Sequence, residues 1–155
     1  MTAKALAALH ARAMTVPGPW SAEAIAGLLD TSGCFVVTLS DADQAGSTRS
    51  QGRQLIQAFA MGRVAAGEVE LLTIAVDPSV QGQGMGRACL RKFEAECRNR
   101  QAADIFLEVA EQNAPALGLY RSEGFREDGF RRAYYRVKDG EPVDAILMSK
   151  SLKTP

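Results

Sequence analysis

Apolar residues recur at helical spacing in the first part of the chain and give way to continuous apolar runs in the middle, and that change of period sets the order of elements. Residues Ala3 to Met14 carry Leu6, Leu9 and Ala13 on one helical stripe, and the Pro17-Gly18-Pro19 cluster ends it before Trp20. Ser21 is placed to cap a second helix, with Glu23 near its positive end and Ile25, Leu28 and Leu29 along one face up to Gly33. Cys34 to Leu39 is β-branched and apolar and predicts a strand. Ser40 to Arg53 is polar, rich in Ser, Asp, Gln and Gly, and without period, which predicts a loop.

Leu55 to Val64 and Glu68 to Val76 are two more strand-like runs, and the Ala65-Ala66-Gly67 joint is short enough for an antiparallel hairpin. After Asp77-Pro78 comes a turn rich in Gly and Gln, and then Met85 to Arg98 sets Cys89, Leu90, Phe93 and Cys97 on one helical face. Ile105 to Val109 returns as a strand, Ala114 to Glu123 is a helix stopped by Gly124, and Arg131 to Tyr135 with Ala145 to Met148 form a closing strand pair. Neither a repeat nor a linker divides the sequence. The expectation is one α+β domain over residues 1–155 with a mixed, partly antiparallel sheet.

Composition narrows the function classes. With 155 residues and 46% apolar positions the chain has the size and core content of one domain. Its 18 basic residues balance 18 acidic ones, which argues against a generally basic nucleic-acid binder. Cys34, Cys89 and Cys97 lack CxxC spacing and have only His10 beside them, so neither a zinc site nor a disulfide scaffold is expected. No stretch reaches the roughly 18 to 20 apolar residues that span a bilayer. The expectation is a soluble cytoplasmic protein with no metal, no membrane association and no direct nucleic-acid partner.

The chemistry begins at Gln81-Gly82-Gln83-Gly84-Met85-Gly86-Arg87, which follows a strand and opens a helix. Helix-terminal N–H groups and the helix dipole converge there on an anion, the glycines let the backbone approach it, and Arg87 adds positive charge. A pyrophosphate suits such a turn; the alternative is a loop that only reverses the chain. A P-loop is excluded, because no Lys-Ser or Lys-Thr follows the last glycine. The dinucleotide fingerprint nearly fits by glycine count, yet it begins a βαβ unit, whereas hairpin strands come first here.

The pattern Q-x-x-G-x-G is satisfied by Gln81, Gly84 and Gly86 after the strand Leu71 to Val76 and Asp77-Pro78, and here the chain resembles the GNAT acetyltransferases. Asn113, Leu119-Tyr120 and Gly124-Phe125 are similar to that family's second motif. Leu107-Glu108-Val109, Arg131-Arg132, Tyr134-Tyr135 and Asp144-Ala145-Ile146 with Met148 resemble the RimI-type ribosomal-protein-alanine N-acetyltransferases. The likeness runs from about Leu71 to Met148, with only Pro19-Trp20-Ser21 upstream. Three departures stand out: the chain enters at the first helix where this fold has a first strand, Ala110 stands where RimI-type sequences have an arginine, and the Ser40 to Arg53 loop is long.

The resemblance implies a GNAT fold and transfer of acetyl from acetyl-CoA to an amine by direct attack, with the α-amine of a protein N-terminus, such as a ribosomal protein starting with Ala, as the acceptor. The alternatives are a GNAT enzyme for a small amine or a lysine side chain, and a non-catalytic module that binds CoA. The pantetheine arm would pair with the backbone of Ile74, Ala75 and Val76, and the pyrophosphate would sit on Gln81, Gly82, Gln83, Gly84, Met85, Gly86 and Arg87. Asn113 would either contact the cofactor, as the family implies, or cap its helix.

Glu108 is out of place in the strand Ile105 to Val109, since an unpaired buried carboxylate is costly. It is either the general base, its proton affinity raised by desolvation, or a structural partner of Arg131 or Arg132. Tyr120 either protonates the leaving sulfur as general acid or packs against Phe125 at the helix end. Tyr134 and Tyr135 either wall the acceptor slot or are ordinary strand residues, and Trp20 either borders that slot or anchors the core.

Overall fold

In the computed structural model, described for residues 2–15, 18–43, 55–136 and 140–153, helices cover both faces of a mixed sheet. The elements are α1 (Ala3–Ala13), α2 (Ala22–Leu29), β1 (Cys34–Ser40), β2 (Ile56–Ala65), β3 (Glu68–Val76), α3 (Met85–Asn99), β4 (Asp104–Ala110), α4 (Ala114–Ser122), β5 (Arg126–Tyr135) and β6 (Val143–Ser151). The sheet order is β1-β2-β3-β4-β6-β5. Only β3 and β4 run parallel; the other neighbours are antiparallel, so the expected mixed sheet is what forms.

The local causes are those the sequence carries. Thr2 Oγ1 accepts from the Ala5 N–H at 3.1 Å and Ser21 Oγ from the Ala24 N–H at 3.1 Å, starting α1 and α2. The β2–β3 hairpin turns on two residues rather than three: Ala66 and Gly67 both take positive φ (52° and 78°), the turn whose twist matches that of the strands. A second departure is β5, which begins at Arg126, five positions before the expected start. Its first half is polar because it is an exposed edge strand, where charge rather than apolar alternation is the useful pattern. The strand expected over Ala145 to Met148 likewise extends at both ends. Among the described residues only Thr2 precedes α1, and β1 forms the other sheet edge. Most of the expected loop, residues 44–53, lies outside the described residues.

Two apolar layers result. On one face Cys89, Leu90, Phe93 and Cys97 of α3, with Leu117 and Tyr120 of α4, pack on Phe35, Val37, Val69, Leu71, Ile105 and Leu107. On the other, Leu6 and Leu9 of α1 and Ile25 of α2 pack on Phe59, Met61 and Ala75. Each fully buried Leu, Ile or Phe contributes about 1.5–3 kcal/mol of transfer free energy. Glu94 of α3 is buried but satisfied by Lys150 of β6 at 2.9 Å, which ties the helix to the sheet.

One irregularity positions everything that follows. β3 pairs with β2 through Met61↔Thr73 and then Gly62↔Leu71, so Leu72 is an extra residue and β3 carries a bulge. β3 and β4 pair from Glu68↔Asp104 only as far as Leu71↔Leu107. Past the bulge the two strands part, and the sheet forks.

Candidate active site

A cleft of about 760 Å³ occupies the fork. Ile74, Ala75 and Val76 of β3 form one wall, Ala110 and Asn113 at the end of β4 the other, and the turn before α3 closes one end. Of the predicted turn residues, Gln81, Gly82, Gly84, Met85, Gly86 and Arg87 all line it. Gln83 does not: it is exposed and outside the lining. The C-terminal end of α1 also reaches the cleft through Ala13, Met14 and Thr15, a contribution with no sequence signal.

The turn offers backbone rather than side chains. Gly84 caps α3 at φ 81°, in the left-handed region, and no side chain caps that helix end. Gly82 and Gly84 both line the cleft, and a Cβ on either would meet nothing within 4 Å, so the turn there is bare main chain. Gly86 lines the cleft and is also packed: a Cβ there would lie 3.3 Å from Leu119, so its small size also allows close approach of α3 to α4. Gln81 Nε2 donates to the Val76 carbonyl at 3.1 Å and folds the turn back onto β3. Arg87 is engaged rather than loose, paired with Glu123 at 2.8 Å and donating to Ser122 Oγ at 3.0 Å. Arg91 holds the same carboxylate, and both guanidiniums, Arg91 first, help to lower the Glu123 pKa. Asn113 caps α4, its Oδ1 accepting from the Ala116 N–H at 3.2 Å, while also lining the cleft, so both of its expected roles are compatible.

Glu108 lies outside that lining and borders a second depression of about 530 Å³. Its side chain is 21% exposed and pairs with Arg131 at 3.2 Å, so the carboxylate is partnered while part of it still meets solvent. Tyr134 joins it: hydrogen bonding to Glu108, and then the charge of that carboxylate, raise the pKa of the phenol. The Arg131 guanidinium lies over the Tyr134 ring at 5.2 Å, and Tyr135 meets Tyr134 edge-on at 5.0 Å between centroids. Burial first, then the Glu108 charge, pushes the Tyr135 phenol up to about 12.

A second bulge aims Tyr134. β5 and β6 pair at Arg131↔Ala145 and resume at Tyr135↔Val143, so the stretch between loops out of the ladder. Ala133 takes φ 51° there, a conformation that costs a non-glycine residue roughly 1–2 kcal/mol, and Asp144 Oδ1 holds it by accepting from the Ala133 N–H at 2.7 Å. Asp144 is thus a supporting residue that spacing could not reveal.

Tyr120 is buried, its ring 5.5 Å from Phe125, and is also outside the cleft lining. Burial first, and then the neighbouring Tyr135, raises the pKa of the phenol above its ordinary value. Trp20 is half-buried and stacks on His10 at 5.0 Å, the core-anchor alternative. No His, Cys, Asp and Glu group capable of holding a metal occurs among the described residues, and no helix there is long and apolar enough to cross a membrane.

The model of the Acetyltransferase (GNAT) family matches residues 6–125. The chain is 47% identical over 92 residues to the ribosomal protein bS18-alanine N-acetyltransferase of Escherichia coli (strain K12), a match over 59% of this chain and 62% of that protein. It is 44% identical over 95 residues to the N-alpha-acetyltransferase RimI of Mycobacterium tuberculosis, over 61% of this chain and 56% of the relative. The crystal structure of the ribosomal-protein-S18-alanine N-acetyltransferase from Escherichia coli superposes with a TM-score of 0.81 at 35% identity, covering 99% of this chain and 89% of that one.

Proposed function

The chain belongs to the GNAT acetyltransferase family, and from that premise we propose that it transfers acetyl from acetyl-CoA to the N-terminal α-amine of a protein by direct attack. The relatives' names, which specify an alanine of a ribosomal protein, support a ribosomal protein beginning with Ala as acceptor and a cytoplasmic location. The match over 6–125, with a superposition that covers 99% of the chain, supports one domain. The observation that carries the reading is the fork, where a strand with released edge groups faces an uncapped helix N-terminus across one cleft.

Acetyl-CoA supplies an activated thioester. Ile74, Ala75 and Val76 hold its arm by main-chain pairing and offer N–H groups to the thioester oxygen. The α3 N-terminus, with Gly82 and Gly84 bare toward the cleft, receives the pyrophosphate. Glu108 accepts a proton from the acceptor ammonium through a water, so that the amine nitrogen bonds to the acetyl carbon as the carbon–sulfur bond breaks. Tyr120 gives its proton to the departing sulfur and is reprotonated by the second proton that the acylated nitrogen sheds. Tyr134 and Tyr135 narrow the approach to Glu108, and Arg131 holds that carboxylate in place.

The test is mass spectrometry of N-terminal peptides with internal lysines, one beginning Ala-Arg, incubated with acetyl-CoA and the protein. Acetyl on the α-amine of the Ala-starting peptide is expected. Acetyl on lysine alone, or on no peptide, overturns the assignment.

A further inference from the structure

His10 is the chain's single histidine, it is fully buried, and both ring nitrogens are engaged. The Trp20 backbone N–H donates to Nδ1 at 3.0 Å, so Nδ1 is the bare nitrogen and the neutral ring carries its proton on Nε2. Nε2 lies 3.0 Å from Thr73 Oγ1 and therefore donates to it. The Trp20 ring stacks on the imidazole and Phe59 closes another side at 6.1 Å. Burial lowers the imidazole pKa, which keeps the neutral form that this pair of bonds requires.

Thr73 stands where β3 changes the face it packs on. Val69 and Leu71 pack with α3; beyond the bulge Ile74 and Val76 pack on that side, while Ala75 packs with α1 and α2. Thr73 also follows Leu71, the last β3 residue paired with β4. Loss of the bulge, a one-residue slip of the β3 register beyond Leu72, would turn every side chain from Ile74 to Val76 to the opposite face and carry their amides off the cleft. Past Leu71 only β2 holds β3 by main-chain pairing, and the bulge already interrupts that ladder. The side-chain bond from α1 is an independent pin at the point of divergence.

We infer that His10 is a positioning residue for the cofactor strand: its Nε2–H bond to Thr73 fixes the bulge so that Ile74 to Val76 present their backbone to the cleft, while Nδ1 fixes the Trp20 turn between α1 and α2. The inference rests on the cofactor site proposed above.

The two ring contacts separate by amide mimicry. His10→Asn keeps an acceptor near the Nδ1 position and loses the donor to Thr73; His10→Gln places an amide near Nε2 and loses the acceptor for Trp20. Thr73→Val removes the acceptor at nearly constant shape, and Thr73→Ser keeps it. Titration calorimetry should show acetyl-CoA bound about tenfold more weakly by His10→Asn and Thr73→Val, the loss of one buried hydrogen bond. Thr73→Ser should bind like the wild type, and His10→Gln, which keeps the bond to Thr73, should keep acetyl-CoA affinity. Wild-type affinity in Thr73→Val, however far its Tm falls, overturns the inference, because a merely structural bond would lower Tm alone. Should the His10 variants not fold, the Thr73 pair carries the test. Amide exchange at Ile74 to Val76 without ligand tests the pin separately: faster exchange in Thr73→Val than in Thr73→Ser is expected, and equal exchange overturns it. A wild type that binds no acetyl-CoA would fell the proposed cofactor site and leave that exchange comparison standing.

Discussion

The two sides of the fork use different materials. Toward α3 the cleft is built from main chain: three residues of β3, two left-handed glycines and an uncapped helix end, with the nearby guanidinium of Arg87 already matched by Glu123. On the Glu108 side the arrangement is made of side chains brought from β4 and from a bulge of β5, held by Arg131 and Asp144. Main chain recognises the parts of a ligand that never vary, such as a pyrophosphate or an extended arm. Side chains are where a proton is moved and where acceptors are told apart. Substitution should therefore act on affinity for acetyl-CoA on the first side and on turnover on the second.

Glu108→Gln is the sharpest test. Loss of a general base predicts a fall in kcat of about 10²-fold or more, with acetyl-CoA affinity by calorimetry unchanged; retained turnover would remove Glu108 from the chemistry. Gly84→Ala addresses the opposite side. Its φ of 81° costs an alanine roughly 1–2 kcal/mol, and the methyl enters the bare side of the turn. Steady-state kinetics should show the KM for acetyl-CoA raised about tenfold, equivalent to 1.4 kcal/mol, and the KM for peptide unmoved. Equal rises in both would erase the distinction.

The smallest effect concerns how α1 is fastened beside the cleft. Asp77 accepts from the Ser79 backbone N–H at 3.0 Å, pairs with Arg12 of α1 at 2.8 Å and accepts from the Ser79 hydroxyl, and these hold its pKa at about 2 against an ordinary 3.8. A carboxyl depressed by folding favours the folded state above the unfolded value, and that contribution disappears as pH falls from 3.8 toward 2. The Tm of the wild type should drop further across that window than the Tm of Asp77→Asn, and parallel curves would show that Asp77 does not fasten α1.

Much of this was legible in the sequence where local chemistry decides the outcome. Ser21 caps because its own side chain reaches the Ala24 N–H, Cys89, Leu90, Phe93 and Cys97 face inward by period alone, and the turn at Gly82 and Gly84 is dictated by backbone conformation. The parts that escaped depend on tertiary approach. The bulge at Leu72 is a relation between two strands, so the Leu71 to Val76 run carries no sign of it. Glu123 meets Arg87 only because α4 lies on α3, and Gly86 is needed for that same contact. Arg126 to Phe130 pairs as a strand without apolar alternation because it lies at an edge. Trp20 and Gln83 show that residue type alone leaves placement open: one stacks on His10 and the other lies outside the cleft lining.

Four residue pairs, Glu68↔Asp104 to Leu71↔Leu107, join β3 to β4, and the whole of α3 must be traversed to bring them together. The β2–β3 hairpin needs only its two-residue turn and can zip within microseconds, whereas the parallel join must first close a long loop. The contacts that open the cleft are therefore the ones with the larger loop-closure cost, whereas the hairpin wall beside them is nearly free of it.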